Sequence, residues 1–181
     1  MSMDWDVARL KGPENQDWRV PVSELEHRQN LFSLRLTAKG IESAWIDDPV
    51  ELYWLTGGRQ NSVMLIGAKD SGIENRHWVR QSVERARFEA GEDNAPHVIE
   101  KHPRMNQLEN SLQKLGCKKR PSLLLSKIPY ERWSFINNKF GNLAGEAEDC
   151  TNLIYNLREV KSEWEISMHK ESGKINQKMF E

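Results

Sequence analysis

The sequence predicts an α/β fold built on a mixed β-sheet flanked by helices. Apolar, strand-like runs alternate with helical stretches of roughly ten or more residues, the pattern of a sheet with helices layered on it. The run "NSVMLIGAKDSG" followed by "HWVRQ" reads as a hairpin, which makes the sheet mixed rather than purely parallel. The 181 residues are 38% hydrophobic and 29% charged with seven Trp, so the chain has material for a core and a solvated surface. That length fits one domain, or one domain plus a piece of another.

Residues 1–20 are polar, carry Gly12 and Pro13, and read as an arm. After Pro21, "VSELEHRQNLFSLRLTAKG" is a helix: Ser23 and Glu26 form an S-x-x-E capping box, Leu25, Phe32 and Leu36 share a stripe, and Gly40 ends it. "IESAWID" is a short strand closed by the turn signal "DDP", where Asp47 and Asp48 serve their own backbone. "VELYWLTGG" reads as a short helix running into a glycine break. The hairpin follows, then "SVERARFEAG", a helix with Ser82 as cap and Gly91 as stop. "HVIEKH" is a strand and "MNQLENSLQKLG" a helix with Met105, Leu108, Leu112 and Leu115 on one side.

"PSLLLSKIP" reads as a buried strand, and "YERWSFINNKFG" as a helix with Trp133, Ile136 and Phe140 in register. "AEDCTN" is an edge-like strand, with Thr151 as cap of the helix "NLIYNLREV". The last stretch, "SEWEISMHKESGKINQKMFE", opens on a second capping box, Ser162 with Glu165. Trp164, Met168, Ile175 and Met179 then lie near one face, and no stop signal follows.

Charge and motif spacing narrow the chemistry. With 26 basic and 27 acidic residues the net charge is −1, which predicts no nucleic-acid partner and no anionic membrane surface. The cluster Lys118–Arg120 reads as a solvated turn. The N-terminal stretch has no apolar run of the signal-peptide kind and no window reaches the length of a membrane span, so the expectation is a cytoplasmic protein. Cys117 and Cys150, far apart, match neither a disulfide framework nor a zinc site. No phosphate loop, dinucleotide fingerprint or nucleophile elbow is present. His97 and His102 are the nearest thing to a histidine pair, but their odd spacing on a strand sends them to opposite faces. Trp45, Trp54, Trp78 and Trp133 read as packing residues. The expected set of catalytic and metal-ligating residues in this chain is therefore empty.

The order of segments is more informative than any one of them. "ELEHRQNLFSLRLTAKGIESAWIDDPVELYWLTGGRQNSVMLI" resembles the opening of the creatinase/prolidase N-terminal domain, through Arg28, Gly40, Ile41, Asp48, Pro49, Tyr53, Thr56, Gly57 and the strand Val63 to Ile66. "VRQSVERARFEAG" resembles the next element, through Val79, Arg80, Glu84, Arg85, Ala86 and Glu89. "LREVKSEWEISMHKES" resembles the R-x-x-K-S-x-x-E-I joint, through Arg158, Lys161, Ser162, Glu165 and Ile166.

The resemblance implies a ribonuclease H-like domain over residues 21–160, with 161–181 as the linker and first helix of a truncated "pita-bread" catalytic domain. The chain would then be a fragment, and the apolar stripe after Ser162 would lack the partner it packs on. The resemblance further implies a parent Xaa-Pro aminopeptidase or Xaa-Pro dipeptidase with two divalent metals (Mn, Co or Zn), bound by two Asp, one His and two Glu beyond this chain. This domain would be non-catalytic, would build a homodimer and would gate the peptide substrate; alone, the chain would be inactive. Arg59, Gln60 and Trp54, in and beside the loop "GGRQN", are the gating candidates it implies, with Arg59 suited to a carboxylate. An ordinary exposed cation is the competing reading of Arg59. Two other readings of the whole remain: a metal-free, creatinase-like amidinohydrolase parent, or a free-standing interaction module. In the family the last helix is Ala-rich, whereas Ser172 and Gly173 stand here; Gly in a helix costs roughly 1 kcal/mol against Ala.

Overall fold

A computed structural model describes residues 17–180, so residues 1–16 of the expected arm lie outside the described residues. A four-stranded sheet runs in sequence order: β1 (Ser43–Ile46), β2 (Ser62–Gly67), β3 (Arg76–Val79) and β4 (Val98–Lys101). The pairs β1–β2 and β2–β3 are antiparallel and β3–β4 is parallel, so the sheet is mixed as the hairpin required. The helices are α1 (Val22–Ala38), α2 (Pro49–Thr56), α3 (Val83–Glu89), α4 (Leu108–Lys114), α5 (Tyr130–Lys139), α6 (Thr151–Glu159) and α7 (Glu163–Lys178). Helix α3 sits in the β3–β4 crossover, since parallel neighbours cannot be joined by a tight turn.

The strand register divides the core. Side chains alternate along a strand, so the paired rows Ala44–Ile66 and Ile46–Met64 point one way and Trp45–Leu65 and Val63–Trp78 the other. The first face is covered by Phe32 and Leu36 of α1, Leu55 of α2 and Ile154 of α6. The second is covered by Leu108 and Leu112 of α4 and by Ile136 and Phe140 of α5, around a tilted Trp45–Trp78 pair 5.8 Å apart. The stripes predicted for α4 and α5 are the ones buried.

Some local expectations fail for identifiable reasons. Pro21, not Ser23, stands at the start of α1: its carbonyl accepts the amides of Glu24 and Leu25, leaving Ser23 inside the first turn where its hydroxyl cannot cap. Ser82 precedes α3 without a side-chain cap bond. Cys150 is the residue before α6, and Asp149, not Thr151, supplies the oxygen there by accepting the Thr151 amide at 2.9 Å. The segment "PSLLLSKIP" meets β1 only around Ser122, whose amide and carbonyl pair with Ser43 and Trp45 at 2.9 and 2.8 Å. Beyond Leu123 the ladder stops because side chains take the amides, Asp149 that of Leu125 and Thr151 that of Ser126. The expected strand is reduced to two isolated bridges, Ser122 with Ala44 of β1 and Leu123 with Asp149 of "AEDCTN", which lies outside it.

The first face of the sheet also holds a buried polar chain. The Gln29 side-chain amide donates to the Leu55 carbonyl and approaches His97 Nδ1, both at 2.8 Å. Asn75 Nδ2 donates to Gln29 Oε1 at 3.0 Å. The His97 and His77 rings meet edge to face at 5.5 Å, and His77 Nε2 lies 2.8 Å from the Ser62 hydroxyl. Because that hydroxyl donates to the Gln60 carbonyl, it accepts from His77, which assigns the Nε2–H tautomer. His102 lies on the other side, against Trp45 and Trp78, as its odd spacing from His97 requires.

Burial pushes the imidazoles down, His77 to about 4 and His97 to about 3. The unfolded chain binds protons at these sites below about pH 6.5 while the folded chain does not, so folding stability must fall as pH drops through that value. Urea unfolding is expected to show stability level above pH 6.5 and declining between 6.5 and 5, before most carboxylates titrate, by on the order of 2 kcal/mol or more. A flat profile across that window would mean that the imidazoles are hydrated in solution.

Candidate functional site

The loop "GGRQN" leaves α2 at Gly57, whose φ of +68° is the left-handed conformation glycine adopts freely. A Cβ there would also stand 3.2 Å from the Glu89 carbonyl. Buried Glu89 of α3 pins the loop: its Oε2 accepts the Arg59 amide at 3.1 Å and the Gln60 side-chain amide at 3.2 Å. Its Oε1 accepts from Arg85 Nε at 3.0 Å. The Arg59 guanidinium is left exposed, 5.5 Å over the Tyr53 ring.

Beside this loop lies a cleft of about 600 Å³, bounded by α2, α3, the segment around Trp18 and the start of α7. Its walls carry the rings of Trp18, Tyr53, Trp54, Phe88 and Trp164, and the guanidinium groups of Arg19, Arg28, Arg59, Arg85 and Arg158. Glu89 and Glu165 are the carboxylates of the lining. The cleft is thus cationic and aromatic in a chain whose net charge is near zero.

Arg28 is its centre. The residue is 2% exposed, and its guanidinium lies between the Trp54 and Trp164 rings, 5.3 and 5.4 Å away. Nε donates to Glu24 Oε1 at 2.8 Å and Nη1 to the Trp54 carbonyl at 3.0 Å. Nη2 comes to 3.2 Å from Glu165 Oε1 as an ion pair without hydrogen-bond alignment. Glu165 also closes the capping box of α7: its Oε2 accepts the Ser162 amide at 2.9 Å while the Ser162 hydroxyl accepts the Glu165 amide at 3.1 Å. One carboxylate therefore starts the helix and fastens it to the domain. Farther along, α7 is uncovered, with Ile175 and Met179 exposed and Phe180 92% exposed.

A second anchor stands behind Arg158. Glu51 of α2 is fully buried, and its Oε1 accepts from Arg158 at 2.6 Å and from Lys127 at 2.7 Å. Asp48, the residue before α2, accepts the Val50 amide at 3.0 Å and shares Lys127 at 3.1 Å, so the expected backbone role holds for Asp48, whereas Asp47 accepts from Arg132 of α5 at 2.8 Å instead.

Of the gating candidates, Arg59 and Trp54 line the cleft, whereas the side-chain amide of Gln60 is tied to Glu89. Trp54 is 7% exposed. Arg28, Arg85, Phe88 and Trp164 were not singled out as site residues by the sequence. A partial signal existed for Arg28, because Glu24 stands four residues before it on α1, the favourable order for an ion pair. Among the described residues no three of His, Cys, Asp or Glu gather as a metal site, and no metal-dependent step is assigned to them. Cys117 and Cys150 are buried free thiols, pushed up by burial to about 11 and about 12. Among the described residues no helix is long and apolar enough to cross a membrane.

A mixed sheet with helices on both faces, joined through a buried arginine to a capped helix, defines an α/β domain with a cleft at its C-terminal junction. Residues 28–160 match the Creatinase/Prolidase N-terminal domain, and the chain belongs to that family. Its fold is similar to that of the prolidase from Pyrococcus horikoshii OT3, with a TM-score of 0.67 and 19% identity over 84% of this chain and 40% of that one. It is likewise similar to the Xaa-Pro dipeptidase from Bacillus anthracis, with a TM-score of 0.66 and 17% identity over 83% of this chain and 39% of that one. The N-terminal domain of the cytoplasmic peptidase PepQ from Mycobacterium tuberculosis H37Rv matches with a TM-score of 0.58 and 14% identity, over 72% of this chain and 98% of that one. The chain thus spans about two fifths of the length of the first two relatives. No curated protein sequence matches it.

The double duty of Glu165 can be separated by substitution. Glu165→Gln keeps an oxygen for the cap but removes the charge facing Arg28, whereas Glu165→Ala removes both. We expect a loss of about 1 kcal/mol for the first and about 2–3 kcal/mol for the second by urea unfolding, with faster proteolysis between residues 159 and 163 in the same order. Equal behaviour of the two variants would show that the charge on Glu165 does not hold α7.

Proposed function

We propose that the chain is the non-catalytic N-terminal domain of a cytoplasmic, dinuclear-metal Xaa-Pro peptidase, and that it supports a homodimer and gates peptide substrate. The observation that carries this reading is the combination of family membership with coverage of only two fifths of an Xaa-Pro dipeptidase and a prolidase chain. The uncovered face of α7 supports it further, because an apolar stripe held at one end by a buried ion pair is suited to packing against more protein.

In this reading the loop 57–60 is the gate. It is pinned through its backbone to Glu89, which leaves the Arg59 guanidinium free to meet a peptide carboxylate in two-pronged fashion. The two metals and their ligands would lie outside this chain and would activate water for attack on the bond before proline.

The test begins with the intact mass of the protein in its native source. A mass well above 21.1 kDa followed by Mn²⁺-dependent cleavage of Gly-Pro supports the proposal. A large protein that cleaves creatine-like amides without metal supports the amidinohydrolase parent instead. The 181-residue chain alone is expected to leave Gly-Pro intact, and metal-dependent cleavage by it would overturn the non-catalytic assignment. In the full-length protein, Arg59→Gln is expected to raise KM about tenfold with kcat little changed, the pattern of lost binding rather than lost chemistry.

A further inference from the structure

We propose that a groove beside α5 is a binding site for a free, zwitterionic amino acid with a large apolar side chain. The groove lies between the segment 125–128 that leads into α5 and residues 146–147 beyond that helix, and it has a volume of about 610 Å³. It shares no lining residue with the cleft at the start of α7, so the inference does not rest on the peptidase reading.

The apolar part of the lining is aromatic at its centre. The Tyr130 and Trp133 rings lie 5.5 Å apart at 32°, and Tyr130 is 75% exposed. Trp133, Leu125, Ile128 and Ala147 each pack on the second face of the core with part of the side chain and line the groove with the rest. A flat or bulky apolar group laid on these side chains would leave water at little cost in ordering, because the core already holds most of them in place.

The charged part of the lining is one cation and one anion that do not meet. Arg120 donates from Nε to the Leu143 carbonyl at 3.2 Å, from Nη1 to Asn137 Oδ1 at 2.8 Å and from Nη2 to the Gly141 carbonyl at 2.9 Å. These acceptors are neutral, so they fix the guanidinium without compensating its charge, and they leave N–H groups unused. Glu146, in the same lining, is exposed and has no hydrogen bond or ion pair among the described residues, with Arg120 or with any other.

This pairing selects the ligand. A ligand with only an ammonium group is opposed by Arg120, and one with only a carboxylate is opposed by Glu146. A ligand with neither leaves both charges uncompensated. A free α-amino acid presents its carboxylate to Arg120 and its ammonium to Glu146, and its side chain covers the rings. The volume falls in the range of small-molecule sites.

The experiment uses the 181-residue chain and follows binding by calorimetry and by the indole N–H resonance of Trp133, assigned with Trp133→Phe. The probes are L-phenylalanine, 2-phenylethylamine, 3-phenylpropanoate and glycine, which keep respectively both charges and the ring, the ammonium and the ring, the carboxylate and the ring, and both charges alone. L-Phenylalanine is expected to shift the Trp133 indole signal and to bind about tenfold or more tightly than each of the other three. Glu146→Gln, at an exposed position that leaves the fold intact, is expected to weaken L-phenylalanine about tenfold and not to weaken 3-phenylpropanoate. Binding of any single-charge probe or of glycine as tight as that of L-phenylalanine would overturn the proposal. So would unchanged L-phenylalanine binding in Glu146→Gln, or no shift of the Trp133 indole at millimolar L-phenylalanine.

Discussion

A buried guanidinium must be met by acceptors on every side or the fold that buries it loses several kilocalories per mole, and Arg28 is met from three helices at once. Glu24 answers from its own helix α1, the Trp54 carbonyl from α2, and Glu165 from α7. The Trp54 carbonyl is one of the groups that the end of a helix leaves without an intrahelical partner. The neighbouring orphan, the Leu55 carbonyl, is taken by Gln29, the residue after Arg28. Two consecutive side chains on α1 thus finish the C-terminal end of α2. That end is also where the loop carrying Arg59 begins, so the position of the loop is set by the packing of α1 on α2.

The junction with α7 follows from the same constraint. Glu24 balances the charge of Arg28, and Glu165 can bring a second carboxylate to Nη2 only if α7 starts where its capping box starts it. Glu51 makes a parallel demand one turn into α2. It is a buried carboxylate whose Oε1 accepts from both Lys127 and Arg158, so the last turn of α6 is held just before the chain turns into α7. Electrostatic pairing, rather than apolar packing, thus determines how the terminal helix leaves the domain. The greasy stripe of α7 contributes only Trp164 and, partly, Met168 to that contact. The remainder projects into solvent.

The cleft is a by-product of this arrangement. Aromatic rings and arginines brought in to hold the junction leave a space between them. Glu89, reaching from α3, spends its oxygens on the loop amides and on Arg85 and does not neutralise Arg59. A chain with a net charge of −1 can therefore present a locally cationic, ring-lined surface that composition averages away.

The sequence by itself determined the elements: the alternation of strands and helices, the β2–β3 hairpin, the glycine break after α2 and the capping box of Ser162 and Glu165. These depend on interactions between residues close in the chain, where period, turn chemistry and caps act directly. It also identified the loop of Arg59 through its likeness to a family. Where local expectation failed, neighbouring groups supplied the acceptors: the Pro21 carbonyl at the start of α1, Asp149 before α6, and Asp149 and Thr151 at the amides of "PSLLLSKIP". Only the tertiary structure decided the site, because Arg28 meets Glu165 across 137 residues and Glu51 meets Arg158 across 107. No periodicity or propensity encodes which distant charges will share a buried space; that is settled when the sheet register and the helix packing bring them together.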